Sequence, residues 1–77
     1  MQIVFSEHAL LKIRQRVLSK EKILETIDSQ HFVQPSYGGR EEWYRDFGKN
    51  HLKVVIMKEN NIVVVVTAHW IARVKRK

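Results

Sequence analysis

Residues 5 to 16 read FSEHALLKIRQR and place His8, Lys12 and Arg16 at intervals of four. On a helix that spacing stacks the three side chains along one side. An imidazole can take up or release a proton near neutral pH. A lysine and an arginine beside it can hold a phosphate and offset the charge that develops during its transfer. Such a set suits RNA cleavage by the RNA's own 2′-hydroxyl. That reaction needs a base, a cation for the phosphorane and an acid at the leaving oxygen, but neither a metal nor a protein nucleophile. The bland alternative is the polar face of an amphipathic helix. Against it, Glu7 and Glu21 lie only at the margins, so the positive groups of the ridge repel one another unless an anion sits there.

Other chemistries find less support. The four histidines, His8, His31, His51 and His69, show no H-x-x-x-H spacing, and there is no cysteine. Neither a metal site nor a disulfide is expected. No G-x-S-x-G elbow, phosphate loop or dinucleotide fingerprint is present, so no cofactor is expected either. The loop PSYGG at 35 to 39 is followed by Arg40, Tyr44 and Arg45, which could hold RNA through charge and base stacking. Trp43 and Phe47 are read as core. Tyr44 shares a strand face with Glu42 and Asp46.

Charge points the same way. Fourteen Lys and Arg against eight Asp and Glu give a net charge of +6 over 77 residues. That balance favours a polyanionic partner, most often nucleic acid. Lys12, Arg14, Arg16, Lys20 and Lys22 face Glu21 alone, and the tail ARVKRK at 72 to 77 adds Arg73 and Lys75 to the RNA-binding candidates. The length allows one domain, 1–77, and a core this small also admits homodimerisation. The longest apolar run, Ile62 to Val66, is too short to cross a bilayer, and MQIVFSEH lacks a signal-peptide layout. The expected location is cytoplasmic, with no membrane partner.

The elements follow from periodicity. Ser6 and Ser19 read as N-caps, with Leu10, Ile13 and Val17 then Ile23, Leu24 and Ile27 as the apolar stripes of two helices. QIVF is a short strand or a lead-in. After Pro35 the period drops to two. EEWYRDF, HLKVVIMKE and IVVVVT read as strands, with turns at GKN and at Asn60–Asn61. The predicted fold class is α+β: an N-terminal helical hairpin packed on a curved antiparallel sheet of three to four strands.

The segment FSEHALLKIRQRVLSKEKILETI resembles the opening of a small family in the RelE/ParE-like toxin superfamily. Its members begin Ser-x-His-Ala-x-x-Arg-Met-x-x-Arg-x-Ile and end in strands carrying Val-Val-Thr. Ser6, His8, Ala9, Arg16 and Leu18 match, as does VVVVT at 63 to 67, while Lys12 and Ile13 replace Arg and Met. The resemblance implies a RelE-like domain and a ribonuclease toxin that cuts messenger RNA, often on the ribosome, and is held by an antitoxin. Carried over by residue, it points to His8, Lys12 and Arg16. Three readings follow: a metal-independent ribonuclease, a non-catalytic nucleic-acid-binding module, and a domain whose basic surface meets an acidic protein.

Overall fold

The chain opens on a strand. A computed structural model describes residues 2–72, so Arg73 and Lys75 of the basic tail lie outside the described residues. β1 (Gln2–Phe5) leads into α1 (Glu7–Gln15) and α2 (Lys20–Asp28). Then come β2 (Phe32–Pro35), a short 3-10 turn at Tyr37–Gly39, β3 (Glu41–Asp46), β4 (Asn50–Glu59) and β5 (Ile62–Ala72). The five strands form one sheet in the order β1-β5-β4-β3-β2. β1 runs parallel to β5, and every other pairing is antiparallel.

This overturns the expected helical hairpin on a three- to four-stranded antiparallel sheet. The sheet is mixed and five-stranded, and its first strand precedes both helices. Nor do the helices form a unit of their own: α1 packs on β5, whereas α2 packs on β4 and β3. The physical reason lies in QIVF, whose alternate residues Ile3 and Phe5 reach the core beside Val63 and Val65. Burying them beside the last strand is worth more than leaving three apolar residues in a frayed lead-in.

Two-residue alternation divides the sheet into two faces. Trp43, Leu52, Val54, Ile56, Val63, Val65 and Ala68 face the helices and are buried with Ala9, Leu18, Ile23 and Ile27. Among the described residues the opposite face carries no helix. There the register aligns Phe32, Tyr44, Lys53 and His69 in one row across β2, β3, β4 and β5.

His69 reaches that row only because β5 holds a bulge. Val55 pairs with Thr67 and Ile56 with Val65, so Val66 is the extra residue. Before the bulge Val63 and Val65 point at the helices; after it Ala68 and Trp70 do. Without the extra residue His69 would point into the core. Ser6 holds the bulge in place. Its amide donates to the Val65 carbonyl at 3.0 Å, and its hydroxyl donates to the Val66 carbonyl at 3.2 Å. The same oxygen accepts the Ala9 amide at 3.0 Å, capping α1.

The expected stripe of Leu10, Ile13 and Val17 is only partly realised. Ile13 packs on the core, but Leu10 is exposed and Val17 is 88% exposed. The helix stops at Gln15, and Val17 adopts φ +51° in the turn after it. The Leu18 amide then bonds the Ile13 carbonyl at 2.9 Å, which folds Leu18 into the core. A β-branched residue is costly in this left-handed conformation, which glycine adopts freely. Val17→Gly should therefore stabilise the fold by about 1 kcal/mol, read as a higher urea midpoint at unchanged slope. A lower midpoint would show that the exposed valine makes a compensating contact.

Candidate functional site

The sequence-predicted ridge divides on folding. His8 is exposed on the first turn of α1. Lys12 is half-buried and donates to the Gln15 side chain at 3.3 Å. Arg16 ends the helix and turns away, donating from Nη1 to the Ala68 carbonyl at 3.0 Å. That carbonyl lies on β5 beyond the point where β1 stops pairing, so Arg16 satisfies an edge group of the sheet. From there its charge also acts on His69.

The residues after the loop separate as well. Tyr44 and Arg45 are neighbours on β3 and point to opposite faces. Arg45 pairs with Glu25 at 3.3 Å and donates to the Ser29 carbonyl, tying β3 to α2. Arg40 is half-buried beside the loop, and its Nε is buried without a hydrogen-bond partner among the described residues. Of the loop candidates, Tyr44 alone enters the polar row on the open face.

That row and the one beside it form a connected polar platform. Glu42 lies two residues before Tyr44 on β3 and lines up with Gln34, Val55 and Thr67. The Tyr44 hydroxyl donates to Glu42 Oε1 at 2.7 Å. Gln34 Nε2 donates to the same oxygen at 2.8 Å and to the Tyr44 oxygen at 3.0 Å. Lys53 Nζ lies 3.6 Å from Glu42 Oε2. The Phe32 ring stacks on Tyr44 with centroids 4.4 Å apart, covering it from the edge strand.

Electrostatics assign protonation states. Burial alone would raise the Glu42 carboxyl. Hydrogen bonds from Gln34, Tyr44 and Ser36, with the Lys53 charge, more than offset this and hold it down at about 2. Glu42 is thus an anion at any ordinary pH. Burial pushes the Tyr44 hydroxyl up to about 12, aided by its bond to Glu42 and the charge there, so Tyr44 stays protonated. His69 is lowered from its usual 6.5, first by burial and then by the Lys53 and Arg16 charges, with Glu42 opposing. A neutral imidazole beside two cations can accept a proton at neutral pH. Its Nδ1 is buried and makes no hydrogen bond among the described residues.

Lys53, His69, Glu42 and Gln34 were not singled out from sequence. Lys53 could have been, since Leu52, Val54 and Ile56 set the inward face of β4 and leave Lys53 opposite. His69 could not, because its direction depends on the bulge. Among the described residues no three His, Asp or Glu side chains gather as metal ligands, and no helix is long and apolar enough to cross a membrane.

The charges facing His69 predict its titration. By NMR its midpoint should lie below 6.5; Lys53→Met should raise it and Glu42→Gln lower it further. The folded pKa lies below the unfolded one, so the stability His69 contributes is present above pH 6.5 and declines as pH falls through that window. A midpoint that ignores both substitutions would place His69 away from the row. No family model, curated protein or solved structure matches this chain.

Proposed function

We propose that the open face of the sheet binds single-stranded RNA and cleaves it by attack of the 2′-hydroxyl, without a metal. One observation carries this reading: on the face that carries no helix among the described residues, His69 pairs with Lys53 across β4 and β5, and burial with the Lys53 and Arg16 charges lowers its pKa. His69 takes the 2′-hydroxyl proton, and the 2′-oxygen attacks the adjacent phosphorus. Lys53 faces the negative charge that gathers on the phosphorane. The bond to the 5′-oxygen breaks, leaving a 2′,3′-cyclic phosphate and a 5′-oxygen that takes a proton from water. The net charge of +6 supports the same substrate through phosphate attraction.

The resemblance of residues 6 to 18 to the toxin family supports a biological setting for this activity. In it, the chain is a cytoplasmic toxin that acts on messenger RNA, on the ribosome in some members, and is held by an antitoxin. His8 and Lys12 remain the alternative base and cation, lying on α1 rather than in the sheet row.

The test uses single-stranded RNA with excess chelator, and ribosome-loaded message in parallel. The parent chain should yield 2′,3′-cyclic ends. His69→Ala should slow cleavage by about a hundredfold or more, while His8→Ala leaves it within a few-fold. The reverse ranking would move the base to α1. Intact RNA in both formats, with salt-sensitive binding, would replace the ribonuclease by a non-catalytic RNA-binding module.

A further inference from the structure

Glu42 is surrounded as a bound anion would be. Gln34 Nε2 and the Tyr44 hydroxyl donate to its Oε1 at 2.8 and 2.7 Å, and Lys53 Nζ faces its Oε2 at 3.6 Å. The Ser36 hydroxyl adds to the same stabilisation. Three donors from β2, β3 and β4 therefore converge on one carboxylate whose side chain is 15% exposed, and Ser36 lines the cavity beside it. Each would serve a phosphate oxygen equally well, since phosphate and carboxylate present similar acceptors to the same donors. The loop keeps Ser36 in position: the Ser36 amide bonds the Arg40 carbonyl at 2.9 Å, and Gly38 and Gly39 at φ +62° and +77° make the intervening turn.

There is also room for exchange. A cavity of about 330 Å³ opens beside Glu42, lined by Pro35, Ser36 and Tyr37. A carboxylate on two rotatable side-chain carbons can leave Lys53 by rotation while its backbone stays in the sheet. Lys53 also pairs with His69 across β4 and β5, so an anion on Lys53 would sit next to the imidazole.

We propose that Gln34, Ser36, Tyr44 and Lys53 form a phosphate-binding cradle which Glu42 occupies as an internal substitute until a phosphate displaces it. Only the identification of that phosphate as an RNA phosphodiester rests on the ribonuclease reading. Glu42 then sets a threshold. Weak or lone anions do not displace it, whereas a polyanionic strand held at several points does.

Titrating inorganic phosphate into the parent chain, Glu42→Ala and Glu42→Gln tests this by calorimetry and by unfolding temperature. Both variants should bind phosphate about tenfold or more tighter than the parent. Phosphate should raise their unfolding temperatures and leave the parent's nearly unchanged. Glu42→Gln keeps a hydrogen-bonding amide next to Tyr44 and serves if the alanine variant fails to fold. Adding Lys53→Met to either variant should remove the gain. Equal affinity in the parent and the variants would overturn the cradle, as would a gain that survives Lys53→Met. A gain in phosphate binding by a chain that cuts no RNA would retain the cradle and remove the ribonuclease.

Discussion

The extra residue in β5 governs the face on which the chain can do chemistry. A strand alternates direction at every residue, so one insertion reverses everything that follows. Val66 is that insertion, and His69 three residues later is turned out of the core by it. Ser6 links this reversal to the start of α1, because one hydroxyl both caps the helix and bonds the Val66 carbonyl. Arg16 then closes the far end of α1 against Ala68, past the bulge. The first helix is thus fastened to β5 at both ends, on either side of the irregularity. In this light the basic ridge of α1 has a structural duty at Arg16 that its spacing alone did not suggest.

Beyond the bulge, the open face is organised around one half-buried anion, Glu42. Glu42 adds to the burial that keeps Tyr44 protonated, and it partly offsets the fields of Lys53 and Arg16 at His69. Replacing it by a neutral group would leave Lys53 without its partner on β3, a state that favours an incoming anion. Tyr44 is screened by Phe32 on one side and bonded to Gln34 and Glu42 at its hydroxyl, so it serves better as a fixed donor than as a mobile acid. Arg45 belongs to the other side of the molecule and joins β3 to α2.

Several parts of this arrangement were legible in the sequence. Ser6 and Ser19 are the caps of α1 and α2. The alternation in β3 and β4 places Trp43 inside and Tyr44 with Glu42 on the other face. What was not legible came from tertiary competition. QIVF pairs with a strand about sixty residues away, and no local signal announces that partner. The apolar period running through Val17 is broken because the chain gains more by turning Leu18 inward than by adding another helical turn. A run of four valines carries no mark of which one is extra, so the direction of His69 is fixed only by its neighbours on β4 and by Ser6.

A bulge at Val66 sets His69 beside Lys53. Cross-strand nuclear Overhauser contacts between β4 and β5 test it most directly. Contacts should pair Lys53 with His69, Val54 with Ala68 and Ile56 with Val65, with Val66 unpaired. An uninterrupted register, in which Val55 faces Val66 and Leu52 faces His69, would contradict it and return His69 to the core.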